Sequence, residues 1–309
     1  MGDLPIKHVV SVSGGKDSTA CILLALALYP RHMLIFIFAD TGHEHPLTYE
    51  YLDYLEAELG ITIERLRADF TPQLAGKRKF VLEKWPEMGV SPEIVAAAAE
   101  VLQPTGIPFL DLCTWKGRFP SRRAQFCTEE LKTNLLVERQ LDFAEAGFWV
   151  WSWQGVRADE SRNRRYLPEW EDLGGHIGIY RPILRWPAVA CFEAMAYRGI
   201  APNPLYKQGM NRVGCMPCIN TSKDELAEIA RRWPWVIDKL EKWERLVMLA
   251  SKCRGASFFP APNDGRGALR GDNIREYVEW AKTSFGGRQY DLLKAGEALA
   301  CSSSYGLCE

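Results

Sequence analysis

The chain opens on short apolar runs that alternate with segments of helical rhythm. Residues 8–12 form a β-branched run and residues 33–39 an almost wholly apolar one. Continuous runs of this kind predict strands buried on both faces. Between them, residues 17–29 are rich in Ala and Leu and predict a helix. Residues 48–59 predict a second helix and residues 61–66 a third strand. Strands that alternate with helices predict an α/β, Rossmann-like fold, a parallel sheet with helices on both faces.

The rhythm weakens over residues 70–120, which are basic, Pro-containing and Ala-rich, with helix expected over residues 92–102. This stretch reads as a helical insertion before a further strand at 148–153. A strand near 180–184 and a helix over 188–198 follow. From 223 to 252, charges and Trp or Leu recur at helical spacing, with Pro234 marking a boundary or kink. The tail from residue 256 is richer in Gly. The expected division is a nucleotide-binding domain with a cysteine motif over 1–222 and a mainly helical region over 223–309.

Composition changes little of this. At 309 residues, 47% hydrophobic and 25% charged, with net charge −1, the chain is an ordinary globular protein with a sizeable core. Local charge is more informative. Lys116, Arg118, Arg122, Arg123 and Lys132 fall in one stretch, and Arg157, Arg162, Arg164 and Arg165 in another; both read as phosphate or sulfate sites or as solvated loops. The longest early apolar run, residues 20–29, is too short to span a bilayer, and no secretory signal opens the chain, so no membrane partner and a cytoplasmic location are expected. Nine cysteines without such a signal favour thiol or metal chemistry over a disulfide scaffold.

The first strand runs into Ser11-Val-Ser-Gly-Gly-Lys-Asp-Ser18 and then a helix. Gly14 and Gly15 allow positive φ and close backbone approach, and the helix N-terminus offers free N–H groups and a favourable dipole to an anion. Lys16 adds a cation, and Ser13 and Ser18 add hydroxyl donors. The spacing is neither the Walker loop nor G-x-G-x-x-G. After the second strand, Asp40-Thr-Gly-His-Glu-His-Pro46 stands at a strand's carboxyl end, where open α/β sheets bind ligands. His43 and His45 are read as solvated loop histidines in preference to a metal pair.

The loop resembles the Ser-x-Gly-Gly-x-Asp-Ser element of PP-loop ATP pyrophosphatases and sulfonucleotide reductases, and so implies a sheet of adenine nucleotide alpha hydrolase type. Gly155-Val-Arg-Ala-Asp-Glu-Ser-Arg-Asn-Arg164 resembles the Gly-x-Arg-x-x-x-Ser-x-x-Arg segment of phosphoadenosine phosphosulfate (PAPS) reductase-like proteins. Arg181-Pro-Ile-Leu-Arg-Trp186, residues 200–206 with Gly209, and Val213-Gly-Cys-Met-Pro-Cys218 follow in that family's order. The resemblance covers roughly residues 8–225. It implies a nucleotide site of Ser11, Ser13, Gly14, Gly15, Lys16, Asp17, Ser18, Asp40, Thr41, Gly42, Lys132, Arg157 and Arg164, with Lys16, Asp17 and Arg157 at the reacting phosphates. The ligand implied is ATP, PAPS or adenosine phosphosulfate (APS), with Mg²⁺ accompanying ATP.

Cys215 and Cys218 form a C-x-x-C pair that suits a metal or a redox dithiol. Reductases of this family that carry a [4Fe-4S] cluster have a Cys-Cys pair where this chain has Cys127-Thr128. The implied ligand set is Cys127, Cys215 and Cys218 with Cys253 as fourth, Cys113 as its rival, and zinc or no metal as alternatives. Cys21 and Cys191 are read as packing residues. The family's C-terminal Glu-Cys-Gly-x-His element is absent: Cys301 and Cys308 are present, but no His follows residue 176.

Two enzymatic readings and one binding reading result. The first is ATP-dependent adenylation of a substrate with pyrophosphate release, followed by sulfur transfer from a donor to an acceptor such as a nucleic acid. The second is reduction of PAPS or APS to sulfite with a thioredoxin-like reductant. The third is a nucleotide- or nucleic-acid-binding subunit, with Trp115, Trp149, Trp151 and Trp153 as stacking candidates and core packing as their ordinary alternative. Oligomeric state is not legible.

Overall fold

The computed structural model describes residues 4–259 and 273–283 together with Tyr305 and Leu307. The apolar runs form β1 (Ile6–Val12), β2 (Leu34–Ala39) and β3 (Ile63–Leu66), and the Trp-rich run forms β4 (Trp149–Trp153). A hairpin of β5 (Trp170–Gly174) and β6 (Ile177–Tyr180) completes one six-stranded sheet in the order β3-β2-β1-β4-β6-β5. All neighbours are parallel except β5, which runs antiparallel at the edge. The strand expected at 180–184 thus ends at Tyr180, and Arg181 turns out of the sheet. β5 escaped notice because it is short and mostly exposed, with Glu171 and Asp172 between Trp170 and Leu173 and so no alternation of apolar and polar positions.

Helices cover both faces. On one, α1 (Lys16–Leu28), α2 (Pro46–Leu59) and α8 (Ala188–Tyr197) bury Val10, Ile22, Phe36, Leu52 and Trp153. On the other, Val9, Ile37 and Val150 meet Leu136 and Phe143 of α7 (Asn134–Glu145). Between β3 and β4 the insertion is more helical than its composition suggested: α3 (Thr71–Glu87), α4 (Pro92–Val101), α5 (Pro108–Lys116) and the turn α6 (Phe126–Thr128) precede α7. Pro72, Pro92 and Pro108 each open a helix at its first turns, where a missing N–H costs nothing.

α9 (Lys223–Arg232) and α10 (Pro234–Leu249) meet at Pro234, as the sequence predicts, and α11 (Ile274–Ala281) follows. Leu226, Ile237, Leu240, Trp243 and Val278 share one apolar core with Leu74, Val81, Leu112 and Val213. The C-terminal helices and the insertion therefore hold the segment after α8 against the sheet. Among the described residues no helix is long and apolar enough to cross a membrane.

Candidate functional site

β1 delivers the chain to a tight turn and α1 begins at once. Gly14 has φ 72°, and a side chain there would also stand 3.1 Å from Thr48 Cγ2. Gly15 does not use positive φ as expected. It is extended at φ −94°, and its need for glycine is room: a Cβ would lie 3.2 Å from the Tyr206 hydroxyl. That hydroxyl accepts the Lys16 N–H at 2.9 Å, while Asn203 Nδ2 donates to Gly14 O at 3.2 Å. Ser18 Oγ accepts the Ser13 N–H, and the two serine hydroxyls lie 3.2 Å apart, so both brace the turn. Ser11 is a strand residue in register with Ile37.

Beyond the turn the charges are paired in a chain. Lys16 Nζ is 2.9 Å from Asp17 Oδ2, Asp17 Oδ1 is 2.6 Å from Arg157 Nε, and Arg157 Nη1 is 2.6 Å from Asp159. Lys16 and Arg157 are buried, 3% and 4% exposed, so these pairs form with little water to screen them. Gly155 permits the approach, since a Cβ there would stand 3.1 Å from the Asp17 carbonyl carbon. Arg164 pairs with Glu160. Burial and the neighbouring Arg212 hold its guanidinium below the usual arginine range. Cys191, expected to be packing, is buried but also places its thiol 3.5 Å from Asp17 Oδ1.

A lid of aromatic rings closes this end. The Lys16 ammonium lies 5.8 Å from the Tyr206 ring centroid and 5.4 Å from that of Tyr305, whose hydroxyl donates to Asn211 O at 2.8 Å. Tyr206, Asn203, Arg212 and Tyr305 were not singled out as site residues in the sequence. Only Asn203 and Tyr206 carried a signal, as members of the 200–206 landmark.

The Asp40–Thr41–Gly42 turn sits at the carboxyl end of β2. Asp40 accepts from Gly42 N–H and Tyr49 Oη and pairs with Arg67 Nε at 3.2 Å. Thr41 Oγ1 donates to Glu44, and Glu44 pairs with Cys215 in an isolated antiparallel β-bridge outside the strands of the sheet. The cysteine loop is therefore bound to this turn. His43 and His45 are not solvated: they are 0% and 5% exposed. His43 stacks on Phe109 with its Nε2 3.0 Å from Pro217 O, and His45 Nδ1 accepts the Leu47 N–H to cap α2. Burial lowers both, His45 to about 4.

Lys132 reaches the same place from a π-helical turn, Glu129–Thr133, a distortion that often marks functional positions. It faces Cys215 and Glu44, and the nearby Cys215 is the chief influence raising it. Burial pushes the Cys215 thiol up to about 12 although Lys132 pulls the other way. Lys239, lowered to about 8 by burial, lies with Nζ 3.4 Å from His43 Nδ1.

The cysteines are only partly gathered. Cys127 lies near enough to Cys218 and Cys113, and Cys215 to Cys218, for their charges to be felt. Cys253 is exposed in the turn after α10. Among the described residues no group of three or more His, Cys, Asp or Glu side chains is arranged to hold a metal ion, so the set Cys127, Cys215, Cys218 and Cys253 is not assembled as a cage. Cys301 and Cys308 lie outside the described residues. Of the tryptophans, Trp153 is fully buried with its indole N–H on His8 Nδ1, and Trp115 stacks on Phe70, which is core packing.

A parallel sheet, an anion-ready strand–turn–helix at its centre and a second turn at the next strand's carboxyl end define a nucleotide-binding α/β protein of the PP-loop class. Residues 7–102 and 115–221 match the phosphoadenosine phosphosulfate reductase domain, and the chain belongs to that family. It is 49% identical over 326 aligned positions to an uncharacterized 37.8 kDa protein of Escherichia phage 186, covering 98% of this chain and 96% of that one. It is 26% identical over 213 positions to the phosphoadenosine 5'-phosphosulfate reductase of Sodalis glossinidius, covering 68% and 70%. The chain spans 35% to 66% of the length of other curated relatives that it matches. Among solved structures, the PAPS reductase of Candida auris aligns with TM-score 0.42 at 16% identity, covering 68% of this chain and 81% of that one.

Proposed function

We propose that the chain is an enzyme that binds an adenosine nucleotide across the two turns, adenosine at Asp40–Thr41–Gly42 and the phosphates at Ser13–Ser18, and uses it in activated-sulfur chemistry. The observation that carries this reading is the buried series Lys16, Asp17, Arg157 at the first turn of α1. Two enclosed cations are held there by Asp17, with Asp159 as a second partner of Arg157, at the N-terminus of α1, so that an ammonium and a guanidinium stand beside the place where an anion would sit. On ATP, Lys16, Arg157 and the loop N–H groups would stabilise charge developing on the phosphates as a substrate oxygen attacks the α-phosphorus and pyrophosphate departs. Mg²⁺ would enter with the nucleotide. A sulfur donor would then displace AMP from the adenylated acceptor, a nucleic acid being one such acceptor.

Family membership favours a second reading, thiol-dependent reduction of PAPS or APS to sulfite. The iron–sulfur reading rests on the sequence motif; the geometry adds the proximity of Cys127 to Cys218.

Anaerobic purification with iron analysis, followed by incubation with ATP, PAPS or APS and product identification, tests these readings. Pyrophosphate from ATP supports the first and sulfite the second. Absence of binding by every one of these nucleotides overturns the proposal.

A further inference from the structure

The first basic stretch contains a feature that neither functional reading uses. Between α5 and the turn α6 the chain folds back on itself: Ser121 N–H donates to Ala124 O at 3.1 Å, and Ala124 N–H returns to Ser121 O at 3.0 Å. Arg122 and Arg123 are thereby left as the two residues of a tight hairpin tip, and both are exposed. The tip is braced. Ser121 Oγ accepts the Ala124 N–H at 3.2 Å, and Gln125 Nε2 donates to Arg122 O at 3.2 Å. Arg118, also exposed, lies with its guanidinium 5.4 Å from the Phe126 ring centroid.

The tip is also joined to the cysteine loop. Arg122 Nη2 donates to Thr221 O at 3.2 Å, and the Thr221 N–H donates to Cys218 O at 2.9 Å. Lys116 Nζ is held by Glu130 at 2.8 Å, whereas Arg118, Arg122 and Arg123 have no carboxylate partner among the described residues. The exposed side chains over 118–128 are these three arginines with Gln125 and Thr128, and no large apolar side chain is exposed among them. A stable protein interface has an apolar centre, which this surface lacks. Contacts to a sugar–phosphate backbone come from arginine and polar side chains, which it has. With a net charge of −1, the cluster does not follow from a basic chain.

We propose that the Ser121–Ala124 turn, with Arg118, is a docking surface for the phosphodiester backbone of a nucleic acid, which it holds beside the cysteine loop. As the site of a sulfur acceptor it rests on the sulfur-transfer reading above; as a nucleic-acid surface it stands apart from nucleotide turnover. The braced hairpin fixes where two guanidiniums begin, so successive phosphates are met at a lower ordering cost than a loose loop would impose. Arginines presented in this way read backbone charge and not base sequence.

Fluorescence anisotropy of the full-length protein with a labelled single strand of DNA, the same strand as RNA and the DNA duplex, over a salt series from about 50 to 200 mM, tests it. The wild type should bind at least one of them, with an affinity that falls as salt rises. In Arg122→Gln/Arg123→Gln the slope of log affinity against log salt should shrink by about 1.4–1.8, two phosphate contacts at about 0.7–0.9 each, and affinity at the lowest salt should fall roughly tenfold or more. Arg122→Lys/Arg123→Lys should keep most of the slope. ATP and APS binding by calorimetry, and thermal unfolding, should match the wild type in both variants, because the two side chains are exposed and stand outside the phosphate turn. No nucleic-acid binding by the wild type at the lowest salt overturns the proposal, as does an unchanged slope in the glutamine variant. ATP and APS weakened as strongly as the nucleic acid would reveal only a general loss of field or fold and also overturn it. The expected slope change in a protein that binds neither ATP nor APS supports the surface and removes the nucleotide reading, and the acceptor role with it.

Discussion

Arg157 Nε lies 2.6 Å from Asp17 Oδ1, joining residues 140 positions apart. The contact ties the loop after β4 to the first turn of α1. It depends on Gly155 for clearance and on burial for strength. Because Asp17 also holds Lys16, one carboxylate keeps two enclosed cations in place in the absence of an anion.

Asp17→Asn keeps the shape and removes that charge. Lys16 then lacks its counter-charge and Arg157 keeps only the half-exposed Asp159, and the protein should lose about 2–4 kcal/mol of stability, read as a lower thermal midpoint. Sulfate or nucleotide should restore more stability to Asp17→Asn than it adds to the wild type, because the anion replaces the missing carboxylate. Equal stabilisation of both proteins by sulfate would contradict the placement of the anion at this turn.

The central sheet and the turn at Ser13–Ser18 were legible because short-range rules govern them: apolar runs for buried strands, small residues where backbone turns into a helix. The edge strand β5 was not, since its five mostly exposed residues show no alternation of apolar and polar positions. His43 and His45 read as loop residues, yet α5 and α10 bring Phe109 and Trp243 over His43, and Trp233 lies beside His45, contacts made across long stretches of sequence. Arg212 and Tyr305 were invisible for the same reason. What assembles the candidate site is contact between the sheet and the segment after α8, which no local pattern records.

Gly15 and Tyr206 should couple in a double-mutant cycle. Gly15→Ala places a methyl 3.2 Å from the tyrosine oxygen, while Tyr206→Phe removes that oxygen and strands the buried Lys16 N–H. Each change should cost about 1–3 kcal/mol, and the pair together less than the sum by at least about 0.5 kcal/mol. Gly14→Ala should cost about 1–2 kcal/mol through its positive φ, and Tyr206→Phe should not relieve it. Chemical denaturation of the variants checks both.

Glu244, 5% exposed on α10, fastens the chain on either side of residues outside the described set. One oxygen accepts from Phe258 N–H at 2.7 Å and Ser257 Oγ at 3.2 Å, the other from Ile274 N–H at 2.8 Å. Glu244→Ala leaves those donors without an acceptor and should cost about 2–4 kcal/mol. Amide exchange at Phe258 and Ile274 should accelerate before exchange in β1 does. Unchanged protection at both amides would show that the carboxylate is not what holds them.

The histidines set the response to acid. His8 and His45 are each lowered to about 4 by burial, and Lys239 adds to the effect at His45. Between about pH 4 and 6.5 the unfolded chain binds protons that the folded chain excludes, so stability rises with pH across that window. It should be fully present above pH 6.5 and decline as the pH falls through 6.5 toward 4, on the order of 1–2 kcal/mol per histidine after allowance for solvent screening. His45→Asn retains a side chain able to cap α2 and removes one of the titrating rings. Urea unfolding at pH 7.5, 6, 5 and 4, a series chosen to span roughly the window between these values, should show a shallower decline for His45→Asn than for the wild type. A parallel decline would mean that His45 takes up its proton without opposition from the fold.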